Sequence, residues 1–201
     1  MKNKKITFII LGLLLSILLI FLNPGQVFTK TLLRITGDYK TPHYESKESI
    51  LKKTGQDHLY YDRLYTLKNY QAFQDCQKKE ITAIPFVQIY NRDKKLLKNA
   101  SGSDCAWELM NYFAQSDSSK LKTGDDQMYH FVMERLDPID IKTDKDTFDY
   151  YLFLGWANYI PKLSNNLFKQ TNKMAETLKG RVCFSYIDFD MQEKWKDEMP
   201  H

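Results

Sequence analysis

The longest run of apolar positions extends from Ile6 to Leu22 and is interrupted only by Thr7, Gly12 and Ser16. Its 17 residues reach the lower end of the roughly 17–25 that a membrane-spanning helix needs. Asn23-Pro24-Gly25 then ends any helix, because proline lacks the backbone N–H. The pattern predicts one N-terminal transmembrane helix that stays uncleaved, because no small-residue cleavage site follows it. A cleaved signal peptide, which would release a secreted domain, is the alternative.

Three lysines, Lys2, Lys4 and Lys5, precede the apolar run. Because basic residues beside a span stay on the cytoplasmic side, we expect a cytoplasmic N-terminus and an extracytoplasmic domain, which is periplasmic if the cell is Gram-negative. The predicted organisation is an anchor at residues 1–25, a linker at 26–43 and one domain at 44–201. The region 116–147 is interpreted as an insertion in that domain.

The first half of the domain alternates between helical and strand-like periodicity. In chain order, the predicted elements are a helix from Ser46 to Lys53, a strand at 58–64, a helix at 67–79, a hairpin of strands at 84–90 and 95–98, and a helix from Cys105 to about Ala114. Trp107, Met110 and Phe113 are spaced by three on the last helix, and this stripe is predicted to face the core.

The last quarter predicts a strand, a helix and a second strand. Tyr150–Trp156 is a nearly continuous apolar run, which is typical of a strand covered on both faces. A helix is expected from Pro161 to Lys179-Gly180, where a cation and a glycine close it. Residues 181–190 alternate as the second strand. Since a β-α-β unit has parallel strands, this unit and the hairpin together predict an α/β fold with a mixed sheet.

Charge argues against nucleic acid as a partner. Three of the 29 basic residues precede the apolar run, so the rest of the chain carries 26 basic and 25 acidic groups. A surface of mixed sign gives no electrostatic footprint for nucleic acid.

Histidine and cysteine spacing predicts neither a metal site nor a cofactor. The four histidines are scattered, and no C-x-x-C occurs. The acidic cluster between Asp137 and Asp149 lacks the glycine and glutamate of a calcium loop, and it is interpreted as a solvated surface segment. No nucleotide-binding glycine loop is present.

Cys76, Cys105 and Cys183 are far apart, and two of them could pair in an exported domain. Cys105 is predicted in the first turn of a helix, where N–H groups favour a thiolate, although Asp104 beside it opposes this. A packed or disulfide-bonded cysteine is the alternative.

Two stretches resemble the thioredoxin superfamily. Residues 81–90, with Ile84-Pro85 before an apolar strand and Asp93 to Leu97 after it, resemble the family's proline strand and hairpin, in which the proline peptide is cis. Residues 151–190, with Trp156 and the Asp188-Phe189-Asp190 strand end, resemble its strand, active-site turn, helix and strand. The resemblance implies a thioredoxin-like three-layer sandwich.

Two departures from this family change what the resemblance implies. The W-C-x-x-C turn is replaced by Trp156-Ala157-Asn158-Tyr159-Ile160, so both cysteine positions are apolar and thiol–disulfide exchange has no nucleophile there. The proline hairpin also precedes the β-α-β unit, which suggests a circular permutation or two fragments of a diverged fold.

The resulting hypothesis is a membrane-anchored, non-catalytic thioredoxin-like module of the cell envelope. The family holds extended peptides beside its cis-proline, so the expected partner-binding residues are Ile84, Pro85, Trp156 and Tyr159, and the partner is an unknown protein or peptide. A residual thiol oxidoreductase using Cys105 is the alternative, and a purely structural envelope accessory is a third.

Overall fold

The computed structural model describes residues 39–79, 81, 83–114 and 124–198. Its helices and strands are, in chain order, α1 (Lys47–Gln56), β1 (Arg63–Leu67), α2 (Tyr70–Lys78), β2 (Phe86–Asn91), β3 (Leu96–Ser101), α3 (Cys105–Ala114), α4 (Gln127–Met133), β4 (Leu136–Ile141), β5 (Tyr150–Trp156), α5 (Pro161–Leu178) and β6 (Val182–Asp188). The described residues from Thr41 onward belong to one compact unit.

The strands form one six-stranded sheet in the order β3-β2-β5-β6-β1-β4. The central strands β5, β6 and β1 are parallel. On one side β2 runs antiparallel to β5, and β3 pairs with β2 as a hairpin. On the other side β4 runs antiparallel to β1. The predicted α/β fold with a mixed sheet is therefore confirmed, as is the parallel β5-α5-β6 unit.

Two apolar clusters cover the two faces of this sheet. On β5, Leu152 and Leu154 belong to one cluster and Tyr151 and Phe153 to the other, because successive side chains of a strand point to opposite faces. Helices α1, α3 and α5 contribute to the first cluster, and α2 and α4 to the second. We call these sides of the sheet the first face and the second face.

The capping signals predict the ends of two helices correctly. Ser46 caps α1, and its hydroxyl accepts a hydrogen bond from the backbone N–H of Ser49 at 3.2 Å while the Ser49 hydroxyl accepts one from Ser46. This reciprocal arrangement satisfies two N–H groups that a helix start leaves open. Helix α5 begins at Pro161, and Gly180 follows its end with φ of +82°, a conformation that favours glycine.

The structure corrects the predicted inner face of α3. The bounds of the helix agree with the prediction, but Trp107 is 63% exposed and Met110 42% exposed. The buried positions are Cys105, Ala106, Leu109 and Tyr112. The buried face of α3 is therefore offset from the predicted stripe, and Trp107 and Met110 point away from the core.

The region interpreted as an insertion contributes to the sheet. Residues 127–133 form α4 and residues 136–141 form the edge strand β4, which includes Pro138. Proline is tolerated there because one side of an edge strand needs no ladder hydrogen bonds. The strand predicted at 58–64 instead begins at Arg63 and pairs with β4.

The predicted anchor lies outside the described residues. Within the described ranges, no helix has the length and apolar character that crossing a bilayer requires.

Candidate functional site

The residues before β2 lie beside the C-terminal end of β5, at the end of the sheet where β5 stops and β2 begins. Phe86 pairs with Gly155 in the antiparallel register. Pro85 precedes Phe86 and Trp156 follows Gly155, so the same register brings these two residues together. The Ile84–Pro85 peptide is cis, as the resemblance implies. A Cβ atom on Gly155 would lie 2.1 Å from the Phe86 ring, so this close approach requires glycine.

The four predicted partner-binding residues differ in accessibility. Ile84 and Tyr159 are half-buried, whereas Pro85 is buried. Trp156 is 0% exposed, and its ring packs on Phe168 of α5 with centroids 5.1 Å apart. Trp156 is therefore a core side chain that cannot touch a partner directly. The prediction that Trp156 contacts a partner is therefore corrected: its side chain supports the turn from within the core.

The turn after β5 contains no thiol and is held by hydrogen bonds. The Ser164 hydroxyl donates to the carbonyl of Ala157 at 2.8 Å, which ties the turn to the first residues of α5. Ala157 and Ile160, the positions of the two cysteines in the resemblance, are both buried. Redox exchange at this turn therefore has no sulfur to use. We call the region between Ile84-Pro85 and Tyr159 the crevice.

The three cysteines are buried and free. Burial raises the pKa of Cys105 to about 12 and that of Cys76 to about 11, and it also raises the pKa of Cys183. Cys105 belongs to the first face, whereas Cys76 and Cys183 belong to the second. A thiolate at Cys105 is thus disfavoured by its surroundings, and the sheet separates it from the other thiols.

Buried acids beneath the turn form a network that the sequence analysis did not identify. Asp188 ends β6 and is 0% exposed, while Asp190 is 2% exposed. The Asp190 carboxylate accepts the backbone N–H of Asn158 at 2.7 Å, and the Gln192 amide donates to Asp188 at 3.0 Å. These contacts tie the turn after β5 to the chain after β6.

Burial is the main reason why the pKa values of both acids are raised. The neighbouring Asp190 raises the pKa of Asp188 further, well above the usual range. The interaction between the two carboxyl groups raises the pKa of Asp188 and lowers that of Asp190. Two adjacent buried carboxyl groups resist ionising together, which favours the uptake of a proton by the pair.

Glu45 extends the network to the segment before α1. Its carboxylate accepts the Asn158 side-chain N–H at 3.1 Å, contacts His43 at 2.7 Å and accepts the Ser49 hydroxyl. The backbone of Glu45 also pairs with Gln192. Three distant chain segments thus meet around buried carboxyl groups.

The other acids named in the sequence analysis serve separate contacts. Asp140 accepts the Tyr61 hydroxyl at 2.7 Å, and Asp149 contacts Arg92 and Arg181 at 2.8 and 3.1 Å. In the part of the chain that the structure describes, no group of three or more His, Cys, Asp or Glu residues is arranged to hold a metal ion.

Comparison with protein-family models, with curated proteins and with solved structures finds no match for this chain.

Proposed function

We propose that this chain is a membrane-anchored, non-catalytic thioredoxin-like module of the cell envelope, and that it binds a protein partner or extended peptide in the crevice. The anchor of this module is Ile6–Leu22, and its domain is extracytoplasmic. Its support comes from the resemblance of the sequence, from the strand order and from the chemistry of the turn after β5.

The strand order supports the thioredoxin-like part of the proposal. Strands β3-β2-β5-β6 combine a parallel β-α-β unit with an antiparallel hairpin beside it. Helix α3, which follows the hairpin, packs against α5. This order resembles the arrangement of the family with its two halves in reversed chain order, as a circular permutation would produce. Strands β1 and β4 then extend the sheet beyond β6.

The thiol-free turn after β5, beside the segment that precedes β2, is the observation that carries the binding function. The register brings the segment before β2 against the end of β5, and the turn that follows holds Ala157 and Ile160 where a redox member needs cysteines. Ile84 and Tyr159 are the predicted residues that retain exposed surface. A side chain of an extended peptide can contact them without entering the core.

The oxidoreductase alternative is not supported by the surroundings of Cys105. The thiolate is the nucleophile in thiol chemistry, and the raised pKa of Cys105 keeps its thiol protonated at neutral pH. Its side chain is also 1% exposed, so a disulfide substrate cannot reach the sulfur.

Peptide selection followed by affinity measurement tests the proposal. A random peptide library is selected against the purified full chain, and the dissociation constant of the selected peptide is measured by fluorescence anisotropy. Ile84→Ala and Tyr159→Ala are each expected to raise the constant about fivefold to tenfold, the effect of removing roughly 1 kcal/mol of contact.

Matched controls separate the crevice from general surface effects. Ile141→Ala and Tyr44→Ala remove equally large apolar side chains that are 42% and 37% exposed elsewhere. They are expected to leave the dissociation constant unchanged. Equal weakening by all four substitutions, or no selected peptide at all, contradicts the proposal.

A further inference from the structure

Helix α3 presents large apolar side chains to solvent. Trp107 is 63% exposed and Met110 is 42% exposed, and residues three apart lie side by side on a helix. Phe113 continues this stripe and is half-buried. Contiguous exposed apolar side chains mark surfaces that contact a protein or a membrane. We call the exposed pair of Trp107 and Met110 the α3 patch.

The charged groups beside the α3 patch do not make it basic. Glu108, which follows Trp107, forms an ion pair with Lys98 of β3 at 2.7 Å. Asp104 lies one turn before Trp107 and is exposed. An anionic ligand therefore gains nothing from the surroundings of the patch, and the chemistry that the patch offers is apolar.

The α3 patch begins at the end of the sheet where the chain enters the domain. Gly102, just before α3, donates its backbone N–H to the carbonyl of Pro85 at 2.8 Å, and Pro85 lies beside the C-terminal end of β5. The Glu45 carboxylate accepts the side-chain N–H of Asn158 at 3.1 Å, two residues beyond the end of the same strand. The first residues of the domain and Trp107, in the first turn of α3, thus share one end of the sheet.

The other large apolar side chains that are exposed among the described residues lie apart from each other. Tyr44 is 37% exposed and precedes Glu45 at the end where the chain enters. Ile141 is 42% exposed and pairs with Arg63 at the start of β1, so it lies toward the opposite end. Exposed apolar surface is therefore concentrated where the chain enters, and Ile141 provides a matched position away from it.

The predicted anchor would keep the domain close to a bilayer. Residues 23–40 connect the predicted span to the compact unit that begins at Thr41, and a stretch of this length reaches roughly 60 Å at most when fully extended. Linkage of this kind raises the effective concentration of a second contact, so a small apolar surface suffices. Tryptophan is enriched at the boundary between water and lipid, because its ring is apolar and its N–H is polar.

We propose that the α3 patch rests on the lipid bilayer in which the chain is anchored, with the Trp107 indole at the level of the lipid headgroups. Met110, about one turn further along the helix, widens the apolar contact. This inference rests on the anchor of the proposed function and not on peptide binding in the crevice. Because the crevice lies at the same end of the sheet, the contact also brings the crevice near the membrane surface.

Tryptophan emission tests the contact, because only one of the three tryptophans is exposed. Trp156 and Trp195 are 0% exposed, and the predicted span contains no tryptophan. The purified full chain is reconstituted into phosphatidylcholine vesicles with or without phosphatidylcholine that is brominated near the headgroup end of its acyl chains. Brominated lipid is expected to quench part of the wild-type emission. This loss should be absent in Trp107→Phe, which keeps an aromatic side chain at the position.

A tryptophan moved to the matched position separates a defined contact from random approach to the bilayer. Ile141→Trp, made in the Trp107→Phe background, places an indole toward the opposite end of the sheet. Brominated lipid is expected to leave the emission of this variant unchanged. Iodide dissolved in the water should quench the indole at position 141 more strongly than Trp107 of the wild type.

Flotation of the vesicles on a density gradient shows whether the chain is anchored. A chain that does not float overturns both this inference and the anchor of the proposed function. A chain that floats without quenching that depends on Trp107 overturns this inference alone. Equal quenching in Ile141→Trp also overturns it, because the domain then meets the bilayer in any orientation. Protection of Trp107 from iodide that grows with protein density, without lipid quenching, would assign the α3 patch to a second copy of the chain.

Discussion

At the residue scale, the Asp188 carboxyl is the most unusual group in the domain, because it is fully buried beside a second acid. Its raised pKa means that the folded protein keeps a proton which the unfolded chain releases near the ordinary value of about 3.9. The contribution of this group to stability is therefore fully present at low pH. It decreases as the pH rises above the unfolded value and stops changing above the folded pKa.

Asp188→Asn keeps this side chain neutral at every pH and is expected to remove the decrease. The melting temperature of the variant should exceed that of the wild type at neutral pH, and the difference should shrink as the pH falls toward the unfolded value. Asp144→Asn is the control, since Asp144 is exposed and the charge change is the same. Parallel pH profiles of the wild type and Asp188→Asn would contradict the buried proton.

The cysteines give a second prediction at this scale. All three are buried and have raised pKa values, so we expect no rapid reaction of the native protein with Ellman's reagent at neutral pH. In concentrated guanidinium, three thiols per chain should react quickly. A single thiol that reacts within seconds in the native state would restore the hypothesis of a reactive Cys105.

At the scale of elements, the sequence predicts well the strand that is covered on both faces and the ends of helices that have capping residues. The bounds of β5 agree with its apolar run, and Ser46 and Gly180 mark the ends that their capping roles predict. The inner face of α3 was not predictable in the same way, because apolar residues surround most of this helix. The spacing by three favours the stripe containing Trp107, whereas packing against the sheet selects the face that contains Leu109.

The difference between the predicted and the observed inner face of α3 can be tested by one substitution on each face. Leu109→Ala is expected to cost about 2–5 kcal/mol of unfolding free energy, because it opens a cavity in the core. Trp107→Ala, at an exposed position, should change it by no more than about 0.5 kcal/mol. Urea denaturation measures both values. A larger loss for Trp107→Ala would support the stripe that the sequence pattern predicts.

The acid network shows why part of the site could not be predicted from the sequence. Asn158 and Glu45 are 113 residues apart in the chain, and no local pattern connects them. In the sequence, the Asp188-Phe189-Asp190 segment is recognisable only as part of the resemblance. Its chemical character depends on burial and on neighbours that the tertiary structure supplies. By contrast, Ile84-Pro85 and Trp156 carry recognisable local motifs, so their proximity could be expected from the resemblance.

At the scale of the whole molecule, the predicted anchor would determine the compartment in which the domain works. The apolar run Ile6–Leu22 and the lysines before it predict that the chain stays in the membrane after alkaline carbonate extraction and is released by detergent. In a protease-accessibility assay on spheroplasts, the added protease should digest the domain while cytoplasmic proteins stay protected by the intact inner membrane. Replacement of Leu14 and Leu18 by arginine should move the chain out of the membrane pellet, because each charge near the centre of a span costs about 2.5–3.5 kcal/mol.

N-terminal sequencing of the mature chain separates the anchor from a cleaved signal peptide. An intact N-terminus supports the anchored module, which confines partner binding to ligands near the membrane surface. A mature chain that begins after Asn23 would instead describe a secreted protein. In that outcome the crevice keeps its chemistry, because it is built from residues after Thr41, but its partner would be sought in solution.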